Sequence, residues 1–206
     1  DGSGTLQVAT SSWIARYTSA GAFEPALPGV TAGSASGPAV TALLPRSDGG
    51  LWVAGNFTQI GSVAQEGVGR FAPGATTAGA VGSTVNRIGS ADTLLPDASG
   101  RLIVGGNFRA VNGTAASHLA RLTAAGALDP TFALGTAPNR GVKHVIRQAD
   151  GKLLVNGTRQ EANGDLKATV VRLLANGAAD GGFGFVAANP GSFIAGLLAA
   201  PEGKSL

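Results

Sequence analysis

Cysteine is absent from the 206 residues of this chain. Its absence excludes disulfide bonds, thiol redox chemistry and thiolate metal sites. Charged residues are scarce as well, because they make up 13% of the chain, about half of the ordinary share of roughly 25%. Glycine, alanine, serine, threonine and asparagine must therefore cover much of the surface, as they do in some secreted or assembled proteins.

Long hydrophobic runs are also missing. No apolar stretch reaches the ~18 residues that a membrane helix needs, and the first residues do not show the charged and then apolar pattern of a signal peptide. We therefore expect no membrane insertion. Methionine is absent even from position 1, which leads us to expect a mature or internal segment of a longer protein.

Basic residues are in slight excess, with a net charge of +3 and a pI of about 9.8. They are spread singly along the chain and form no run. Nucleic-acid binding needs a concentrated basic patch or stripe. We therefore expect no nucleic-acid partner.

Glycine is abundant, and its 33 residues amount to about double the ordinary share of roughly 7%. Many of these glycines lie at the turns of a repeat. The segments LWVAGNF, LIVGGNF and LLVNGTR begin at Leu51, Leu102 and Leu153, which are 51 residues apart. A second anchor, an arginine within a short apolar segment, recurs with the same step. It lies at Arg16, Arg70, Arg121 and Arg172, the first unit being shorter between its anchors.

Each unit has the pattern of short strands. One runs from about Val40 to Arg46, and a second runs from Leu51 to Phe57 after an Asp-Gly turn. A further turn at Asn112-Gly113 suits a type I′ hairpin, because asparagine and glycine both accept positive φ. The arginine strand follows, and 127–132 forms a fourth short element. Equivalent turns fall at Gly61-Ser62 and Asn163-Gly164.

Four short antiparallel strands, repeated every ~40–50 residues, are typical of a propeller blade. A blade is apolar on both faces and must stack on its neighbours. The sequence therefore predicts an all-β chain, a β-propeller-like array of about four blades. An open β-solenoid is the alternative. The predicted single repeat domain divides into a partial first blade at 1–39, blades at 40–88, 89–139 and 140–190, and a further or closing strand at 191–206.

Closure of the array stays open between two alternatives. The segment Phe193 to Ala199 could complete the first, partial blade and close a ring of four. Alternatively, the chain is cut from a propeller of six to eight blades, which the stop at the start of a strand favours.

One unit resembles a known family. The resemblance rests on Ser99 to Phe108, Val111-Asn112-Gly113, Ala120-Arg121-Leu122 and Gly126 to Phe132. This unit is similar to the bacterial delta-60 repeat, whose motif is roughly DGK-apolar-VGG-x-F, NG, ARL and DG-x-LD-x-x-F. The next unit departs from the motif at Gly157-Thr158-Arg159, and the preceding unit lacks the last element. The resemblance implies a β-propeller in large secreted or surface-attached bacterial proteins, and it implies no defined activity.

The four arginines are the most regular polar feature. They could form a ring of cations around an anionic ligand. We favour a structural role instead, in which each guanidinium bonds loop carbonyls or a carboxylate and fixes the strand register, since arginine presents five donors in a planar fork.

No other residues form a convincing active site. Asp48, Asp129 and Asp150 are expected to cap turns, and they lack the close spacing of a calcium loop. His118 and His144 are expected to be isolated surface or strand residues. The glycine-rich segment 104–107 lies inside a predicted strand, so it is not a phosphate-binding loop. We therefore predict no catalytic, metal or cofactor site.

The tryptophans are expected to serve packing. Trp52 occupies a repeat strand position and is predicted to lie in the core. Trp13 is the better candidate for an exposed contact, although packing is the favoured interpretation. Three matches to the glycosylation pattern, which begin at Asn56, Asn112 and Asn156, are interpreted as chance.

The favoured function is a non-enzymatic structural or interaction module of an extracellular or cell-surface bacterial protein. Open blade edges would invite strand addition, so a protein partner or self-association is expected. The alternative is a carbohydrate-binding propeller that uses the polar loops 58–66, 109–117 and 160–168. An enzyme with a site in a central channel is the third and least favoured hypothesis.

Overall fold

All regular structure in the described part of the chain is β. The computed structural model describes residues 6–9, 12–17, 20–31, 39–73, 90–133, 138–187, 189–191 and 194–197. Within these ranges there are 18 strands, and no helix is long and apolar enough to cross a membrane.

In chain order the strands are β1 (Leu6–Ala9), β2 (Ile14–Tyr17), β3 (Phe23–Leu27), β4 (Val30–Thr31), β5 (Ala39–Pro45), β6 (Leu51–Asn56), β7 (Gln59–Ile60), β8 (Val63–Ala64), β9 (Val68–Phe71), β10 (Ala91–Pro96), β11 (Leu102–Gly106), β12 (Ala110–Val111), β13 (Thr114–Ala115), β14 (Leu119–Leu122), β15 (Val142–Arg147), β16 (Leu153–Gln160), β17 (Leu166–Leu173) and β18 (Ala179–Val186).

The strands group into four antiparallel meanders, which are the blades. Blade 1 is β1-β2-β3, blade 2 is β5-β6-β9, blade 3 is β10-β11-β14, and blade 4 is β15-β16-β17-β18. Two small sheets, β4-β7-β8 and β12-β13, stand beside blades 2 and 3. Separate antiparallel meanders are the units of a propeller, whereas a β-helix coils its strands in parallel. The predicted propeller class is confirmed.

The prediction of four strands in each unit holds for blade 4 alone among the described sheets. In blade 3 the element at 127–132 makes only a single bridge, between Leu122 and Leu128. Pro130 has no N–H for a ladder, and the side chain of Asp129 turns the chain by accepting from the Thr131 N–H at 2.9 Å. Blade 4 has Gly181 in the place of Pro130, and β18 forms there.

The hairpin of blade 4 also differs from the others. The β16–β17 ladder runs without interruption from Leu153↔Leu173 to Gln160↔Leu166. In blades 2 and 3 the ladder breaks before the arginine strand, where Gly67 (φ 67) and His118 (φ 66) are left-handed. Thr169 stands at the equivalent position and pairs regularly with Gly157. The break therefore separates the small side sheets from blades 2 and 3.

Two of the predicted hairpin turns differ in type. Asn112 and Gly113 both have positive φ (51 and 77) and join Val111 to Thr114, which is the predicted two-residue type I′ turn. At Asn163-Gly164 only the glycine has positive φ (91). The loop there has three residues, because Glu161 N bonds Asp165 O at 2.9 Å. The type I′ prediction was wrong at this turn.

Apolar cores lie between successive blades. In β6, Leu51 and Val53 belong to the core shared with blade 1, whereas Trp52 and Ala54 belong to the core shared with blade 3. In β11, Ile103 points the other way, into the core shared with blade 4. Each of these strands is therefore apolar on both faces, as the repeat predicted. Burial of one such large side chain stabilises by about 1.5–3 kcal/mol.

The first strands of blades 2, 3 and 4 lie beside one another. Thr41 Oγ1 donates to Ala91 O, and Lys143 Nζ lies 2.8 Å from Asp92 Oδ2. Thr41, Asp92 and Lys143 are successive repeat positions, so these contacts join successive blades. The predicted strand Phe193 to Ala199 is not formed over 194–197, which have no regular structure. The rest of that segment and residues 74–89 lie outside the described residues.

Candidate functional site

The repeated arginine of blade 3 lies in a nearly closed cluster of polar groups. Arg121 Nε donates to Asp129 Oδ2 at 2.8 Å, and its Nη2 donates to Thr131 Oγ1 at 3.1 Å. Its guanidinium carbon stands 4.8 Å from the centre of the Phe132 ring. The side chains of Arg121 and Asp129 are 5% and 8% exposed. The predicted carboxylate partner of the arginine is therefore present and buried.

The same arginine also reaches the next blade. Arg121 Nη1 donates to the carbonyl of Ala175 in blade 4 at 3.1 Å. One blade earlier, Arg70 Nη1 donates to the carbonyl of Ala124 at 3.2 Å. The expectation that these arginines bond loop carbonyls is confirmed. Both bonds join successive blades, and the expectation that these arginines fix strand register stays a prediction. The side chain of Arg16 lies outside the described residues.

The arginines that line the cleft beside Arg121 are bound to groups of the protein. A cleft of about 240 Å³ between blades 3 and 4 is lined by Arg101, Arg121 and Arg147. Arg147 Nη2 donates to Pro96 O at 2.8 Å, and Arg101 Nε donates to Asp97 Oδ2 at 2.6 Å. Their guanidinium groups are thus engaged by groups of the protein. The equivalent cleft between blades 2 and 3 has a volume of about 340 Å³.

The carboxyl of Asp129 is strongly acidic. Hydrogen bonds from Thr131, followed by those from Arg121, lower its pKa from 3.8 to about 2. Because the folded pKa is lower than the unfolded one, the carboxylate contributes stability above pH 4, and this contribution is lost as the pH falls towards 2.

We therefore expect the urea midpoint of the chain to fall between about pH 4 and pH 2. The variant Asp129→Asn should be less stable at neutral pH and should show a smaller decrease across this window. Asp150→Asn is the matched control, since the side chain of Asp150 is 52% exposed. Equal pH dependence in wild type and Asp129→Asn would contradict the prediction.

The remaining turn aspartates, Asp48 and Asp150, cap turns as the sequence predicted. Asp48 Oδ1 accepts from the Gly50 N–H at 2.9 Å, and Asp150 Oδ1 accepts from the Lys152 N–H at 3.1 Å. Across the described ranges, no group of three His, Asp or Glu side chains lies together in a way that could hold a metal ion.

The two histidines have different surroundings. His118 is buried with 6% exposure and has positive φ, and its Nδ1 has no hydrogen-bond partner among the described residues. Burial lowers its pKa below 6.5. It is neither a surface nor a strand residue, so that expectation was wrong. His144 lies in β15 as expected, with its Nδ1 3.5 Å from Asn156 Nδ2.

The two tryptophans, and the three asparagines that match the glycosylation pattern, differ in their surroundings. Trp52 is 3% exposed and lies in the core, as predicted. Trp13 is 61% exposed, so the expectation that it packs was wrong. Asn156 is 2% exposed and donates to Ile194 O at 3.2 Å, which leaves no room for a glycan. Asn112 occupies a turn and Asn56 ends β6.

Sequence reasoning missed a second, similar cluster on blade 4. Arg172 Nε donates to Asp180 Oδ2 at 2.7 Å, and Lys152 Nζ lies 3.3 Å from the same oxygen. The Arg172 guanidinium stands 4.8 Å from the centre of the Phe183 ring. The signal was present, because an aspartate and a phenylalanine follow both arginines at 8 and 11 residues.

Blades 3 and 4 are similar to a known family. A model described as "Domain of unknown function (DUF5122) beta-propeller" matches residues 98–132 and 148–183. The two matches cover about a third of the chain, and each ends at the phenylalanine of its cluster. No curated protein matches the chain. The match supports a β-propeller family, and the chain is an all-β protein built of propeller blades.

Proposed function

We propose that the chain is a non-enzymatic structural or interaction module of a secreted or cell-surface bacterial protein. The observation that carries this proposal is that the repeated arginines form their hydrogen bonds with groups of the protein itself. Arg70, Arg121 and Asp129 are bound to one another or to neighbouring blades. Because Arg70 and Arg121 occupy the arginine position that recurs in the repeat and each bonds the following blade, the repeated arginine supports blade stacking.

The location in this proposal rests on composition and on resemblance. Charged residues make up 13% of the chain, and a weakly charged surface suits packing against copies or neighbouring domains. The likeness of 99–132 to the delta-60 repeat adds the expectation of a large secreted or surface-attached bacterial protein.

Self-association is the property that tests the proposal. We expect the apparent mass of the purified chain, measured by size exclusion with light scattering, to rise with concentration. The two ends of the blade array are the expected contact surfaces, since unpaired sheet edges and uncovered blade faces favour association. A chain that stays monomeric at every concentration, with no added partner, would count against self-association.

A carbohydrate-binding function is a second candidate, and the exposure of Trp13 favours it. Trp13 is 61% exposed as a residue, and an exposed indole is a side chain on which a sugar ring can stack. The polar loop 58–66 provides less than the sequence suggested, because Gln65 is buried and donates to Val68 O at 2.6 Å. Binding on a glycan array that Trp13→Ala abolishes would support this candidate, and an array without hits would remove it.

A further inference from the structure

His118 occupies a backbone position that does not need a histidine. It lies at the ladder break before β14 with a φ of 66, and the equivalent residue of blade 2 is Gly67, with a φ of 67. Glycine adopts this left-handed conformation freely, whereas a histidine is strained in it and is held there only by its surroundings. Because blade 2 forms the same break with a glycine, the break itself does not explain the histidine.

The ring of His118 is enclosed, although one of its nitrogen atoms is unpaired. The residue is 6% exposed, and its Nδ1 has no hydrogen-bond partner among the described residues. Its N–H donates to Phe108 O at 2.9 Å, and its carbonyl accepts from the Gly106 N–H at 3.0 Å. The main chain thus holds in place a buried polar group that is left unsatisfied, at a cost in stability.

The ring lies where blade 3 meets the loop that precedes blade 4. This loop, 138–141, packs against the end of β11, since a Cβ on Gly141 would lie 3.7 Å from Gly106 O. The carbonyl groups of Gly106 and Asn139 both act on the imidazole of His118. One of these carbonyls belongs to blade 3 and the other to the loop, so the ring lies at the contact between them.

Hydrogen bonds tie the same loop to the β16 strand of blade 4. The Arg140 N–H donates to Thr158 O at 3.0 Å, and Asn139 Oδ1 accepts from the Gln160 N–H at 2.7 Å. Asn139 and Arg140 are themselves exposed. A loop that leaves blade 3 loosens these bonds, so the exchange of the Arg140 N–H reports on the position of the loop.

The charges around the ring oppose its protonation. Burial lowers the pKa of His118 below 6.5, and the cationic side chains of Arg109 in blade 3 and Arg140 in the loop lower it further, while the two carbonyl groups act in the opposite direction. All other residues at 106–108 and 138–141 are uncharged. The ring is therefore neutral in the folded chain at neutral pH, and it binds a proton more readily once it reaches water.

We propose that His118 is a proton-sensitive contact between blade 3 and the loop 138–141. The neutral ring stays buried and the loop packs on blade 3, whereas a ring that binds a proton at mildly acidic pH moves into water and releases the loop. Because the folded pKa lies below the unfolded one, the contribution of the ring is complete above pH 6.5 and is lost as the pH falls below it. The inference goes beyond the proposed function and does not depend on it.

Blade 2 provides the reference for a test by NMR hydrogen exchange on the wild-type chain. The Gly55 N–H donates to Gly67 O at 2.9 Å, in the place of the bond from Gly106 to His118. After correction for intrinsic rates, we expect the protection of the Gly106 and Arg140 amides to fall at least about threefold between pH 7.5 and 5.5. The protection of Gly55 should stay unchanged. Equal changes at Gly106 and Gly55, or no change at Arg140, would overturn the inference.

Two variants assign the effect to one ring. His118→Asn removes the titrating group and keeps a residue that accepts positive φ, so the protection of Gly106 should no longer depend on pH in this range. His144→Gln removes the only other histidine of the chain and should keep the wild-type decrease. A decrease that persists in His118→Asn, or that disappears in His144→Gln, would show that His118 is not the sensor.

Titration of the imidazole carbon signals in the wild-type chain needs no variant, so it decides the matter even if His118→Asn does not fold. We expect the ring of His118 to titrate below pH 6.5 and in step with the loss of protection at Gly106. A ring that titrates at or above pH 6.5, or one that titrates while Gly106 stays fully protected, would contradict the inference. The window lies above the one expected for Asp129, between about pH 4 and pH 2, so the two effects are separable.

Discussion

Replacing Arg121 with leucine is expected to lower the free energy of unfolding by about 3–5 kcal/mol, which is the usual cost of removing one partner from a buried ion pair. The substitution leaves Asp129 8% exposed without its nearest cation. It also removes the hydrogen bond to Ala175 O, so the contact between blades 3 and 4 is weakened. Urea denaturation followed by circular dichroism measures the change.

Arg172→Leu is the matched control for this prediction. Arg172 occupies the same repeat position and pairs with an aspartate at 2.7 Å, but its side chain is 25% exposed. The free energy of unfolding should change much less, because partly exposed ion pairs contribute little. Similar losses in the two variants would show that burial by the neighbouring blade is not what makes Arg121 important.

Gly106→Ala is expected to destabilise the chain by about 3 kcal/mol, the upper part of the range for overpacking. Gly106 ends β11, and a Cβ there would overlap Ser90 O and lie 2.8 Å from the Ala91 Cα. Both contacts are to backbone, so no side chain can move aside. Gly55 and Gly157 meet the backbone at Ala39 and Gly141 in the same way, so the requirement is a property of the repeat.

Gly113→Ala provides the comparison for this glycine. Gly113 has a φ of 77, but a Cβ there would meet no atom within 4 Å. Its replacement should cost only the strain of a left-handed alanine, about 1–2 kcal/mol. The two urea midpoints should therefore differ, with Gly106→Ala the lower. A Gly106→Ala chain as stable as Gly113→Ala would contradict the close approach of the two strands.

Much of the fold could be predicted from the sequence because the same strand and turn pattern recurs and thereby defines the structural unit. The recurrence of Leu51, Leu102 and Leu153 fixes the unit, and strands that are apolar on both faces require a neighbour on each side. The type I′ turn at Asn112-Gly113 followed from local backbone preference alone. Local chemistry also predicted the capping roles of Asp48 and Asp150.

The failed predictions for His118 and Trp13 depended on contacts beyond the local sequence. His118 was expected at the surface or in a strand, but position 118 lies at a backbone break, and the packing there buries the residue. Trp13 was expected to pack, yet it is 61% exposed. The four-strand unit failed in blade 3, where Pro130 and the Asp129 turn prevent a fourth strand from pairing. Neither spacing nor composition indicates which surfaces a neighbouring blade covers.

The sequence alone determined the 51-residue unit, its β character and the turns between its strands, since these follow from periodicity and from the backbone preferences of single residues. The tertiary structure decided that Arg70 and Arg121 join one blade to the next. It also decided that Phe132 is covered while Phe183, at the same repeat position, is exposed. The physical reason is that burial depends on which blade stands alongside, and two identical positions in a repeat can differ only through their neighbours.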